Sequence, residues 1–419
     1  MKVQQSKKKK NTSKPPPKEQ PPHPLDLNIN FFSRITFSWL FNLIALGRQR
    51  ELENEDVFKC PSRLASLNNI NKFHDLVAQE IKKEKPEFST VIWTIVWYEY
   101  TSAFVYSVPF IICYFFQPLF IRGLLRKIEG NEDPFFIGWS GISLSIGLTL
   151  TTVLMSLSMQ NMWGNLLNAG AKARSIGMSY IFKKALKLAP HSRQQHSVGS
   201  LVTLMTVDLD RVFYWIQQSN WLVVSPSAII FISYIVVNEI GAIPSMCGGI
   251  VLIILTVFSY YTATVLKRAR IKVMRNTERR VHLIEELLQG IRVIKSYAWE
   301  GPLADQVEDV RKLELKNLGI MLFFSAVSLS VAFITPVTVG LISFYVYALQ
   351  GNELTASVVF TTFAAINLLR LPVKIIPMVI ARYVEAVVSF KRLTKFMCLD
   401  ELEDNPFTLT DASTSENKS

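Results

Sequence analysis

A water-soluble core has no place for six separate runs of about 20 or more apolar residues. This 419-residue chain carries them near residues 92–121, 135–163, 220–239, 241–265, 318–348 and 355–380. The composition agrees: 49% of residues are hydrophobic, mean hydropathy is +0.25, and charged residues stand at 19%, below the roughly 25% of soluble domains. The runs predict an all-α, multi-pass membrane protein with the lipid bilayer as its first partner. A net charge of +12 invites a nucleic-acid reading. The basic residues, however, sit beside the apolar runs, where membrane topology is cause enough, and no nucleic-acid-binding motif accompanies them.

Those charges also set an orientation. One long connection carries Lys172, Arg174, Lys183, Lys184, Lys187, Arg193 and Arg211, and a second carries Lys267, Arg268, Arg270, Lys272, Arg275, Arg279, Arg280, Arg292, Lys295, Arg311, Lys312 and Lys316. The short opposite ends around Glu239 and Glu353 carry none. The asymmetry predicts that both long connections and both termini lie in the cytosol. Proline is missing between Pro134 and Pro190 and between Pro244 and Pro302, so each stretch is free to run as a helix of roughly 80 Å. A bilayer core absorbs only about 30 Å. The rest is expected to project as a stalk suited to passing force to a soluble partner.

The ends of these stalks hold the most informative residues. Arg279 to Glu300 reads RRVHLIEELLQGIRVIKSYAWE. Leu283, Leu287, Leu288 and Ile291 recur at helical spacing, which predicts one apolar face. The segment then exposes Tyr297 and Trp299 beyond Gly290. Taken alone, these residues admit two readings: a solvated hairpin that tucks its aromatics back, or a plug for a partner's pocket. The other loop, His196 to Val212, reads HSVGSLVTLMTVDLDRV; Gly199 permits a break there and Ser200 is a candidate to help start the next helix. By themselves Asp208, Asp210 and Arg211 read as a surface charge cluster. Nearer the start, residues 31–47 form a short apolar stripe interrupted by Ser33, Arg34, Ser38 and Asn42, as in an interfacial helix stopped at Gly47.

Three of these segments resemble the exporters of the ABC transporter C subfamily, the multidrug-resistance-associated group. Gly290 to Glu300 matches the signature of its second cytoplasmic loop. Gly199, Leu204, Met205, Asp208 and Arg211 fall at the spacing of its first. Gly47, Arg50, Leu52 and Asp56 match the motif that follows its elbow helix. The resemblance covers residues 29 to 405. It implies the first transmembrane domain of a type 1 exporter: six helices with long cytosolic extensions, preceded by an interfacial elbow. It implies coupling to nucleotide-binding domains through Ser197, Gly199, Leu201, Asp208 and Arg211 in one tip, and through Ile294, Tyr297, Trp299 and Glu300 in the other. The L-R-x-P sequence at Leu369 to Pro372 resembles the last span of these exporters, where the Arg contacts organic anions.

Arg370 and Lys374 also stand out from the residues alone. They share a helix face at i, i+4 inside an apolar run. Charge at that depth is costly unless it faces water or a partner, so they read as a cation pair on a substrate pathway, against a rival reading as a snorkelling pair near the helix end. Phe110, Trp215, Trp221, Phe323, Phe324 and Tyr345 read mainly as packing or interface anchors. Cys60, Cys113, Cys247 and Cys398 and the five histidines are scattered, so no metal site or disulfide framework is expected. No phosphate-binding GxxxxGK[ST] loop, LSGGQ-like signature or nucleophile–base arrangement is present. No catalytic residue or bound cofactor is therefore expected on this chain, and ATP and Mg belong to nucleotide-binding domains elsewhere.

The expected organisation is a basic, Pro-rich tail over 1–28, disordered and without a cleavable signal peptide, then an elbow and polar linker over 29–91. The transmembrane domain follows over 92–395, and a tail over 396–419. The expected function is the membrane half of an ATP-driven exporter of amphipathic organic anions or conjugates. It would work with a second transmembrane domain and with ATPase domains from another chain or a missing C-terminal part, in the plasma membrane or a vacuolar or endolysosomal membrane. The alternative is a truncated, non-transporting relic or regulatory subunit of a full transporter. A channel on the same fold is a third reading that no residue singles out.

Overall fold

The computed structural model describes residues 20–23, 26, 30–189 and 198–401. Apart from one bridge pair, Leu188 with Glu401, the regular structure among these residues is helical. Among the described residues six helices are long and apolar enough to cross a membrane: α4 (Phe88–Ile128), α5 (Gly141–Lys187), α6 (Val198–Ile240), α7 (Ala242–Gln289), α9 (Glu300–Leu349) and α10 (Ala356–Met397). Shorter helices are α1 (Phe31–Thr36), α2 (Phe41–Gln49), α3 (Ser66–Ile81) and α8 (Ile291–Tyr297). The proline-free stretches become α5 and α7, of 47 and 48 residues, each about 70 Å long.

Three expectations need revision. The elbow is not one helix: Phe37 takes φ 57° between α1 and a short 3-10 turn, and α2 runs past Gly47 to Gln49. The second apolar run does not begin its helix at residue 135. It begins at Gly141, because Gly138 (φ 77°) turns the chain and Phe136 is spent in a buried cluster instead. The stretch read as a polar linker contains α3, whose Ile70, Phe73 and Val77 recur at i, i+3 and i+7 and are buried. The tail over 1–28 lies almost wholly outside the described residues, as does 402–419.

The described residues fall into two compact units. The first draws on Met1–Val108, Ser156–Asn220 and Ile380–Ser419. Its aromatic centre is Phe73, Phe88 and Tyr180, all fully buried and meeting edge-on or tilted at 5.3 to 6.4 Å. Gly177 allows α5 to lie close to α6, since a Cβ there would come within 2.7 Å of Leu209 Cδ2. Two buried ammonium groups are matched here. Lys172 meets Glu99 at 3.0 Å, and Lys184 donates to the Met397 carbonyl at 2.6 Å and meets Glu401 at 3.2 Å. The elbow motif closes on itself. Arg50 meets Asp56 at 2.5 Å, Asp56 accepts the Glu53 N–H at 2.9 Å, and Leu52 rests 3.3 Å from where a Cβ of Gly47 would stand.

The second unit comprises Pro109–Met155 and Trp221–Val379. One core cluster holds Leu119, Phe120, Phe136, Leu144 and Ile235; another holds Leu252, Val339 and Ile366. α7 and α9 pack along each other as a helical hairpin with α8 at its tip. Beside the first cluster Arg122 bridges two almost wholly buried carboxylates, meeting Asp133 at 2.7 Å and Glu239 at 2.6 Å, with Arg126 at 3.6 and 3.7 Å from the same pair. This ties the end of α4, the following turn and the end of α6 together.

Removing one member of a buried charge set strands the others. Arg122→Met is expected to lower stability by about 3–5 kcal/mol, read as an earlier unfolding transition of the purified chain in detergent. Exposed Lys85→Met, which removes no ion pair among the described residues, is expected as a control to leave the transition in place.

Candidate functional site

The first tip belongs to the first unit and begins where α6 starts at Val198; Ser197 lies outside the described residues. Gly199 is exposed and Leu201 half-buried. One turn later the helix widens to a π turn over Leu204–Asp208, a local distortion frequent at functional sites. It rotates Asp208 inward, where its side chain is wholly buried. Its Oδ1 accepts from Ser389 Oγ at 2.9 Å, from Arg392 at 3.3 Å, and more distantly from Arg211 at 3.5 Å. Asp208 therefore sits under the tip, fastening its base to α10. Asp210 pairs with Arg174 of α5 at 2.8 Å, so the charge cluster faces neighbouring helices and not water alone.

The second tip belongs to the second unit. Gly290 ends α7, and α8 follows with Ile294 buried beneath it. Ala298 takes φ 53°, turning the chain sharply, and the Trp299 N–H reaches back to the Ile294 carbonyl at 3.1 Å. The turn holds Tyr297 and Trp299 stacked, ring centroids 5.1 Å apart at 26°, yet 66% and 54% exposed. Lys295 meets Glu300 at 2.9 Å and holds its carboxyl below the usual range. Of the predicted apolar face, Leu283 and Leu287 are half-buried while Leu288 and Ile291 are exposed, so the stripe is narrower than its spacing suggests.

Behind this tip, α7 and α9 are stapled at Glu314. That carboxylate is almost buried; it accepts from Arg280 and Arg311, each at 2.8 Å, and from Thr277 at 2.7 Å. The two guanidiniums, then the hydroxyl, hold its pKa down at about 2. The sequence signal, a lone acid three residues past Arg311, was too weak to single it out.

Arg370 and Lys374 lie on α10 in the second unit, both exposed. Pro336 in α9 has no N–H to give the Ala332 carbonyl four residues back. The Arg370 guanidinium supplies it, at 3.1 Å. The same device recurs at Pro372, whose orphaned partner, the Leu368 carbonyl, accepts the Tyr114 hydroxyl. Arg370 is thus anchored at the Pro336 break with donors to spare, and Lys374 is exposed. Of the aromatics, Phe110, Trp215 and Trp221 are buried, whereas Phe323 and Tyr345 are exposed.

Residues 71–373 match the sequence model of the ABC transporter transmembrane region. Among curated proteins the chain is similar to ATP-binding cassette sub-family C member 2 of Homo sapiens, 27% identical over 430 residues that cover 89% of this chain and 28% of that protein. Metal resistance protein YCF1 of Saccharomyces cerevisiae is 29% identical, covering 91% of this chain and 26% of that protein. ABC transporter C family member 8 of Dictyostelium discoideum is 27% identical, with 91% and 24% covered. The chain spans about a quarter of the length of these relatives.

The Glu314 staple has a pH signature. A carboxyl whose folded pKa is about 2, against 4.5 unperturbed, adds stability that is complete above about pH 5 and lost as pH falls toward 2. Amide hydrogen exchange along Thr277–Gln289 is expected to accelerate across that acid window. Glu314→Gln is expected to show the faster exchange already at pH 7.

Proposed function

Because the chain belongs to the ABC transporter transmembrane region family, we propose that it forms one half of the translocation pathway of an ATP-driven exporter and receives force from nucleotide-binding domains through two helical tips. The observation that carries this is the Tyr297–Trp299 stack. Two large aromatics, more than half exposed and held by a sharp turn at the end of 48- and 50-residue helices, have the form of an anchor for a partner's pocket. In this family the membrane region works with nucleotide-binding domains, and the positive-inside distribution of Lys and Arg supports a cytosolic position for the tips.

The division of the two tips fits that role. Asp208 and Glu314 fix the bases of the tips, and exposed residues at their ends are left to meet a partner: Gly199 in the first, Tyr297 and Trp299 in the second. Movement imposed at either end is carried by continuous helix into the apolar spans. We further propose that the cargo is an amphipathic organic anion. Arg370 and Lys374 supply two cations one helical turn apart within an apolar run, and Arg370, held at the Ala332 carbonyl, needs little further ordering to bind a carboxylate, sulfate or phosphate.

Two experiments test these readings. Trp299→Ala is expected to reduce co-purification of an ATPase-bearing partner at least tenfold, as loss of an interface anchor does; undiminished recovery would overturn the coupling role. Arg370→Ala is expected to weaken ATP-dependent uptake of an anionic conjugate into vesicles by about ten- to a hundredfold, with normal membrane insertion and with Arg370→Lys intermediate. Wild-type affinity in the alanine variant would remove Arg370 from the pathway.

A further inference from the structure

One face of α7 changes character along its length. Ile250, Ile254, Val257 and Tyr261 follow one another at helical spacing and are 56–63% exposed. The same face continues as Arg268, Lys272, Arg275 and Arg279, at intervals of four, three and four, all exposed. Residues 267–279 hold six cations against one carboxylate, Glu278. A merely solvated face mixes its signs; this one does not. Several cations near the span ends elsewhere are matched: Lys172 by Glu99, Arg174 by Asp210, Lys184 by Glu401, Arg280 by Glu314 and Arg392 by Asp208. Among the described residues the four α7 stripe cations take part in no ion pair.

We infer that this stripe is a seat for a phospholipid headgroup bearing more than one phosphate. An apolar exposed strip leading directly into a run of Lys and Arg matches the two halves of an anionic lipid, acyl chain and headgroup. Arg268, the first cation of the stripe, stands seven residues past Tyr261, where a lipid phosphate is reached. Arg268 to Arg275 extends about 10 Å along the helix, farther than a single phosphodiester reaches but within the span of a ring carrying additional phosphates, each with a charge of about −1.5 to −2. The inference depends on α7 crossing the bilayer and not on what the chain transports.

The test titrates the purified full chain in detergent with dioctanoyl phosphatidylinositol bisphosphate and, separately, dioctanoyl phosphatidylserine, reading bound lipid by native mass spectrometry. The bisphosphate is expected to bind at least tenfold more tightly. At roughly a fivefold contribution per cation, Arg268→Gln/Lys272→Gln/Arg275→Gln is expected to weaken it about 100-fold. Lys183→Gln/Lys391→Gln/Lys395→Gln, which removes the same charge from other exposed sites, is expected to leave it unchanged, and Arg268→Lys/Arg275→Lys to retain most of it. A photoactivatable bisphosphate analogue on the wild-type chain is expected to label residues 267–279, which keeps the test open should the triple variant fold poorly. Equal affinity for the two lipids, equal loss in both triple variants, labelling only elsewhere, or full competition by hexaglutamate would each overturn the proposal.

Discussion

In hydrocarbon a backbone carbonyl has no water to fall back on, and every turn of a spanning helix has to satisfy its own. Proline breaks that rule at a known place, four residues upstream. In this molecule two such breaks are mended from outside the helix: the Ala332 carbonyl by Arg370 and the Leu368 carbonyl by Tyr114. Both breaks are therefore held by named donors. Under the cargo role proposed above, a side chain that both mends a proline break and offers spare donors would join the scaffold to the bound anion.

The same economy governs the charged residues. Four sets of buried or nearly buried acids each fasten a junction: Glu99 with Lys172; Asp208 with Ser389 and Arg392; Asp133 and Glu239 with Arg122; Glu314 with Arg280 and Arg311. Each lies toward the end of an apolar run or beyond it, where an ion pair fixes register at less desolvation cost than at mid-membrane. Long amphipathic rods slide easily along one another, because apolar contact is indifferent to small shifts. A carboxylate that accepts from two or three fixed donors is not.

Much of this was legible in the residues. Six apolar runs and two proline-free stretches predict the long helices, because periodicity and breakers are local properties; the Tyr297–Trp299 pair left open a tucked or an exposed tip, and the structure shows it exposed. The misses share a cause as well. The π turn that carries Asp208 inward leaves no mark on composition. The staples pair residues 34, 73 or 117 positions apart, and nothing in a single sequence says which acid meets which base. The elbow broke at Phe37 because a non-glycine residue took a left-handed conformation, a cost that only tertiary contacts can offset.

The contrast between buried Asp208 and exposed Trp299 bears on how force can be received. A docking surface has to be soft in its occupancy and rigid in its position: open to a partner, yet unable to yield when pushed. Each tip meets both demands by separating them in space, with open residues at the end and a multiply bonded carboxylate at the base. In the second unit the distance between them is set by helix alone, from Trp299 to Glu314 along α9. Were the acid at the end and the aromatics at the base, the tip would bind by charge, sensitive to salt, and flex where it should transmit. Under the coupling role proposed above, this order would let an apolar anchor engage a pocket while the ionic staple holds the base of the tip.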